Sequence, residues 1–200
     1  MVKDVWPYLI VGVALTVILA VTSPPAAAVA AGALTAGVAS FFRDPRRPVP
    51  DDPSLILSPA DGRIVKIAGT PDGECISIFL SVFNVHVNRS PVAGLVADIR
   101  YTPGEFVPAF REKASELNEQ NLITLETARG SVGVKQIAGL IARRIRCYKR
   151  RGERVAQGEK IGFITFGSRV DLFVPPEAVV KVSVGNNVKG GTSVIAVYPK

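Results

Sequence analysis

Two uncharged stretches of 17 residues each, Val5 to Val21 and Ala26 to Phe42, set the first limit on what this chain can fold into. Thr22-Ser23-Pro24-Pro25 separates them, and Arg43-Asp44-Pro45-Arg46-Arg47 ends them abruptly. A bilayer core takes about 20 apolar residues, with about 17 as the lower limit, so each stretch is marginal as a crossing. The second is rich in Ala and Gly, which weakens its attraction to lipid but suits close helix–helix packing. The pattern predicts a membrane-associating helical hairpin over residues 1–42. A hairpin puts Lys3 and the Arg43–Arg47 cluster on one side. Positive charge favours the cytoplasm, so the body is expected on the cytoplasmic side of the cell membrane. Two other readings fit the same residues. One is a cleaved signal peptide with Ala26-Ala27-Ala28 at its end, against which a second apolar stretch follows. The other is a buried helical pair of a soluble protein.

The body is expected to span residues 43–200, and from Asp51 onward the pattern changes to short β-branched runs between Gly, Pro and Asp turns. Arg63–Ala68, Cys75–Ser81, Leu122–Thr127, Ser131–Ile137, Val170–Val174 and Val179–Val184 are the expected strands of a mostly β domain. Phe110 to Glu119 is polar and reads as a helix or an ordered loop. No long amphipathic helix supplies a βαβ unit. An internal echo adds detail. Gly152, Val155, Gly158, Ile161 and Ile164 recur as Gly185, Val188, Gly191, Val194 and Val197, each 33 residues later. Turn glycines with inward aliphatics predict two related hairpin corners. Biotinyl- and lipoyl-carrier domains use similar corners, which points to a barrel-sandwich-like fold. The lysine tip of a carrier is missing, so a biotinyl role is not expected. Two ordinary β-turns would also produce the echo.

The formal net charge of +7 fits nucleic acid, an anionic membrane or an acidic substrate equally well. Arg143, Arg144, Arg146, Lys149, Arg150, Arg151 and Arg154 concentrate that charge. Tyr148 is the one aromatic residue among them and no recognised binding motif is present, so nucleic acid is the least favoured partner. Anionic lipid is a candidate partner, and a solvated face is the plainer one. Cys75 and Cys147 form no CxxC pair and have no histidine cluster near them, so neither a metal site nor a disulfide framework is expected.

His86 is the one histidine in the chain, so any mechanism needing imidazole has a single candidate. Three short segments carry the candidate chemistry. Ser58-Pro59-Ala60-Asp61-Gly62 is a turn that places a carboxylate. Val85-His86-Val87-Asn88-Arg89 sets His86 in an alternating apolar context. Phe166-Gly167-Ser168-Arg169 joins two apolar runs, and Gly167 has no side chain to shield its carbonyl from the next hydroxyl. Each segment also reads as ordinary structure: a turn, a satisfied core histidine and a bulge. Together they hold the Asp, His and Ser of an activated nucleophile. Gly-x-Ser-x-Gly is absent, so the elbow of an α/β-hydrolase is not predicted.

Seven strings in order, within a match that runs from Phe41 to Val197, make the chain resemble the short form of the phosphatidylserine decarboxylase family. They are Phe41-Phe42-Arg43-Asp44-Pro45, Ser58–Gly62, Phe83–Arg89, Lys113-Ala114-Ser115 with Asn118-Glu119, Gln136–Gly139, Ala142–Ile145 and Phe166-Gly167-Ser168. The resemblance implies self-cleavage between Gly167 and Ser168. Asp61 would orient His86, which would take the proton of Ser168. Ser168 would attack the Gly167 carbonyl and end as a covalent pyruvoyl group. A large β chain and a 33-residue α chain would remain together as a heterodimer. The substrate implied is a membrane phospholipid, phosphatidylserine, decarboxylated through a Schiff base with the pyruvoyl group. Many longer members carry a second histidine where this chain has Phe83, and many have Thr where it has Arg169. Two rivals are the same chemistry on archaetidylserine and a non-catalytic membrane-anchored β domain. A third is a serine hydrolase using Asp61, His86 and Ser168.

Overall fold

The computed structural model describes residues 1–104, 118–139, 144–165 and 168–199. The chain divides into two compact units, Met1–Arg46 and Arg47–Lys200.

The first unit is a helical hairpin. A 3-10 turn, Lys3–Val5, leads into α1, Trp6–Thr22, and α2 follows as Pro25–Phe41. Ser23 and Pro24 each precede a proline, which disfavours helical backbone at both positions. Both are extended (ψ 165° and 144°), so the chain reverses there. Each helix has proline in its first turn, where the missing N–H costs nothing. The open end of the hairpin closes where the Val2 N–H donates to the Phe42 carbonyl at 3.0 Å. Tyr8 and Phe42 stack beside it, with ring centroids 5.6 Å apart. Trp6, Ile10, Val11, Val17 and Val21 of α1 are all exposed. The helical segment Lys3–Thr22 is long and apolar enough to cross a membrane, whereas α2 has 17 residues and is shorter than that.

The second unit is mostly β. Its strands are β1 Leu55–Leu57, β2 Gly62–Thr70, β3 Gly73–Leu80, β4 Val87–Arg89 and β5 Gly94–Thr102. Next come β6 Gln120–Thr127, β7 Gly130–Ile137, β8 Ile145–Cys147, β9 Arg154–Val155 and β10 Lys160–Ile164. The last are β11 Ser168–Val174, β12 Val179–Val180, β13 Asn187–Val188 and β14 Val194–Val197. A curled sheet runs in the order β13-β2-β3-β11-β7-β6-β5-β9. Two small sheets, β1-β14-β12 and β4-β10-β8, complete a barrel-sandwich-like domain. The strand pairs among the described residues are antiparallel; short turns join β2 to β3 and β6 to β7, and the other pairs bring together strands that are distant in the chain.

Period-two alternation builds the core. Ile76, Ile78 and Leu80 of β3, Val132 and Val134 of β7, and Val170, Leu172 and Val174 of β11 all point into it. The repeated motif forms corners. Gly152, Gly158, Gly185 and Gly191 have φ between 72° and 96°, and Val155 and Val188 are buried on the short strands β9 and β13. The copies differ beyond that point, since Ile161 and Ile164 are buried while Val194 and Val197 are half-exposed. The expected strand Val179–Val184 is shorter than its composition indicated. It pairs only at Val179–Val180, because a turn closed by Asn186 on Ser183 reverses the chain at Gly185. Most of the segment from Phe110 to Glu119 lies outside the described residues.

Leu172 has no exposed surface. Leu172→Ala should therefore lower the stability of the β unit by about 2–5 kcal/mol. Urea unfolding followed by far-ultraviolet circular dichroism checks this.

Candidate active site

Ser168 is the first residue of β11, a strand held on both edges. Its Cα partner on β3 is Leu80, and Arg169 beside it pairs with Phe79 on β3 and Ile137 on β7. Ser168 shares the inward face with Val170 and Leu172 and is fully buried. Its Oγ has no hydrogen-bond partner among the described residues. A buried hydroxyl left unsatisfied costs about 1–3 kcal/mol, so its position calls for a chemical reason. Gly167, the other residue of the expected cleavage site, lies outside the described residues, as does Phe166.

His86 reaches the same region from two directions. Leu80, opposite Ser168, ends β3, and the chain turns at once. Asn84 N–H donates to Ser81 O at 3.0 Å, while the Ser81 N–H and hydroxyl both donate to Asn84 Oδ1 at 2.8 Å. That turn delivers His86, fully buried, at the head of β4. From the other side, the Ile164 N–H donates to the His86 carbonyl at 3.3 Å, four residues before Ser168. The imidazole Nδ1 lies 3.0 Å from the Asn84 carbonyl. A carbonyl only accepts, so Nδ1 carries the proton and Nε2 holds the lone pair of the neutral ring. This is the tautomer that a general base acting through Nε2 requires.

Asp61 stands on the turn that packs beside β4, where the Arg89 N–H donates to the Pro59 carbonyl at 2.9 Å. Its carboxylate is used in another way than the sequence implied. Oδ2 accepts from Arg47 Nη2 at 2.7 Å, and Oδ1 accepts from the Gly190 N–H at 2.8 Å. The orienting bond to His86 comes from the backbone of Asn84. Neither Asp61 nor Ser168 hydrogen-bonds to His86 among the described residues. The fold thus gathers the three segments by backbone pairing and leaves the side chains without direct bonds to one another. Catalytic contacts commonly tighten only when the reacting groups are engaged.

Four polar features escaped the sequence reading. Arg47 clamps Asp61. The Asn84 carbonyl sets the histidine tautomer. Arg169 points away from Ser168, with Nε 2.7 Å from Asp171 Oδ1 and Nη2 2.6 Å from Ser77 Oγ, all three residues buried. The i, i+2 spacing of Arg169 and Asp171 on a strand is the signal that marks them as one face. Fourth, Asn121, Gln136 and Asn88 form a buried row of amides: Asn121 Nδ2 donates to Gln136 Oε1 at 2.9 Å, and Gln136 Nε2 donates to Asn88 Oδ1 at 2.8 Å. Polar side chains at inward strand positions were their signal.

Phe83, in place of a second histidine, is 83% exposed on the Ser81–Asn84 turn. Of the basic run, Arg144, Arg146, Arg150, Arg151 and Arg154 are exposed, Lys149 is paired with Glu159, and Arg143 lies outside the described residues. Cys75 and Cys147 are free, half-buried thiols. Burial first, and then the Asp171 carboxylate, push the Cys75 thiol up to about 11.

The fold and site together define a mostly β domain that carries a buried hydroxyl at the head of a doubly paired strand and an imidazole oriented by the backbone. Relatives narrow the class. The sequence profile of the phosphatidylserine decarboxylase family matches residues 34–196. A phosphatidylserine decarboxylase proenzyme of Burkholderia ambifaria is 42% identical over 97% of this chain and 94% of its own length. A proenzyme of the same description from Burkholderia vietnamiensis is 48% identical over 80% of this chain and 78% of its own. A third, from Burkholderia cenocepacia, is 41% identical over 97% of this chain. The chain belongs to the phosphatidylserine decarboxylase family, and it is an enzyme.

Because its proton is held until pH nears 11, Cys75 should resist iodoacetamide in the folded protein at pH 8 and react as pH rises towards 11. Peptide mapping after timed alkylation separates it from Cys147. Rapid labelling of Cys75 at pH 8 without unfolding would contradict the shift.

Proposed function

We propose that this chain decarboxylates phosphatidylserine to phosphatidylethanolamine, using a pyruvoyl group that it makes from its own Ser168. One observation carries the reading: Ser168 Oγ is fully buried at the head of β11, with no hydrogen bond to any of the described residues. A serine kept only for packing would be expected to bond a backbone carbonyl.

In the proposed maturation, His86 Nε2 takes the Ser168 proton as Oγ adds to the Gly167 carbonyl. The Gly167–Ser168 C–N bond then breaks and its nitrogen takes up the proton, leaving an ester through Oγ. Loss of the Ser168 Cα proton expels Gly167 as a carboxylate and leaves dehydroalanine. One water replaces its nitrogen, which departs as ammonia, and a ketone remains at the new terminus. The products are a β chain of residues 1–167 and an α chain of residues 168–200, associated as a heterodimer. Asp61, paired with Arg47, brings a carboxylate to the turn beside β4, the strand that follows the imidazole that becomes cationic as it accepts the proton.

The pyruvoyl carbonyl supplies the electron sink for the pair left behind when CO2 departs. The side chains do the rest. His86 is the acid placed to return a proton, a duty that Phe83 cannot share. The exposed arginines of β8 and the loop after it offer charge complementary to anionic headgroups. The apolar helix α1 supports association with the cell membrane. Lys3 and the Arg43–Arg47 cluster support a cytoplasmic catalytic unit, residues 43–200, behind a membrane segment of residues 1–42.

Intact mass of the purified full chain is the test. The wild type should give two polypeptides, the smaller starting at position 168 without a free amine. Ser168→Ala should stay a single chain and release no CO2 from phosphatidylserine vesicles. Cleavage of Ser168→Ala would overturn the proposal. His86→Ala should also remain a single chain, and its normal maturation would remove His86 from the processing step.

A further inference from the structure

The amide row beside the site has a direction. A side-chain amide can donate only through nitrogen and accept only through oxygen. Asn121 donates to Gln136, and Gln136 donates to Asn88 Oδ1. These two bonds fix which way Asn88 faces, because its oxygen is already used. What remains at the end of the row is Asn88 Nδ2. It is fully buried and has no hydrogen-bond partner among the described residues. The row is built rather than incidental. Gln136 reaches Asn88 across Gly162, where a β-carbon would stand 2.5 Å from Gln136 Nε2, so any other residue there would displace the amide.

Strand pairing locates the row's end. Gln136 is the partner of Val170, two positions along the inward face from Ser168. Asn88 lies two residues after His86 and pairs with Gly162 on β10, the strand whose last residue, Ile164, is bonded to the His86 carbonyl. Asn88 therefore belongs to the same interior layer as the two groups that the proposed maturation uses. Two polar groups without a hydrogen-bond partner among the described residues lie in that layer: a hydroxyl that in the proposed maturation gains a carbon, and an N–H donor.

We propose that Asn88 Nδ2 is the electrophilic donor for self-cleavage, binding the acyl oxygen of the residue before Ser168 as it becomes an oxyanion. This rests on the maturation proposed above. When Ser168 Oγ forms its bond to that carbonyl carbon, the C=O π pair moves onto oxygen, and the hydroxyl proton passes to His86. The oxygen then needs a donor fixed in advance and sheltered from water, because a preorganised donor loses nothing in turning towards the charge. Gln136 and Asn121 are positioning residues: they act only by keeping Asn88 turned with its nitrogen available.

The test follows the cleavage of full-length chains made by cell-free synthesis in lipid nanodiscs, read as band fractions against time. Asn88→Ala and Asn88→Asp should each slow cleavage by about 10²–10³-fold, the usual loss for one oxyanion donor. Their unfolding midpoints are compared with that of uncleaved Ser168→Ala. Asn88→Asp keeps the shape and the acceptor, so a merely structural role would be spared by it. Gln136→Glu gives a separate readout. A carboxylate there accepts the Asn88 N–H and withdraws it from the site, so this variant should also cleave slowly with Asn88 intact. It decides the matter should both Asn88 variants fail to fold.

Wild-type cleavage with equally fast cleavage of folded Asn88→Ala and Asn88→Asp would overturn this inference and leave the Ser168 maturation standing. Were both Asn88 variants unfolded, fast cleavage of Gln136→Glu would overturn it in the same way. Absent cleavage of the wild type, or cleavage of Ser168→Ala, would overturn the maturation itself.

Discussion

Everything at the site hangs on the two hydrogen-bonded edges of β11. β3 pairs with it at seven consecutive positions from Ser168 to Val174, and β7 at five. A strand held on one side can fray from its end, but one held on both must break two ladders to move. Ser168, paired with Leu80 and followed from Arg169 by residues held on both edges, can therefore stay in place whether or not a covalent bond precedes it. That property suits a chain expected to be cut there, since the ladders, the buried Val170, Leu172 and Val174, and the Arg169–Asp171–Ser77 contact all lie on the downstream side. A buried ion pair recovers its desolvation cost only when further hydrogen bonds satisfy it, and Ser77 on the neighbouring strand supplies one.

The same economy governs the interior polar groups. The site has little water-like freedom, so orientation comes from backbone and from short side chains. The Asn84 carbonyl turns the imidazole, and the Gly190 N–H with Arg47 holds Asp61. Gln136 turns Asn88. Each partner is fixed by a turn or a ladder that exists for reasons of folding. The groups that the proposed maturation uses inherit that rigidity, which is what preorganisation requires.

Much of the fold was legible along the chain because it depends on neighbours in sequence. Proline pairs end helices wherever they occur, and the reversal at Ser23-Pro24 follows from that alone. Alternation of Val and Ile marked β3, β6, β7 and β11 to within a few residues. The 33-residue echo marked the Gly152 and Gly185 corners, since positive φ selects glycine locally. The second copy diverged where burial, a property of distant partners, took over at Val194 and Val197. Val179–Val184 failed as a strand for a related reason: composition favours extension, but the Ser183–Asn186 turn leaves those residues only two ladder partners.

Ser168, His86 and Asp61 could be named from residue type and family resemblance, and so could the chemistry of a serine that follows a glycine. Their partners could not. That Asp61 bonds Arg47 and Gly190, that a carbonyl two residues away sets the tautomer of His86, and that Asn121, Gln136 and Asn88 line up head to tail are facts of three dimensions. Hydrogen bonds are directional and reach only about 3 Å. Across 129 residues between Asp61 and Gly190, or 48 between Asn88 and Gln136, sequence carries no record of which groups meet. The chain determined by itself which residue types and local turns were available. Only the closure of the sheets decided which polar atoms were left to act, because that depends on who occupies every other bond.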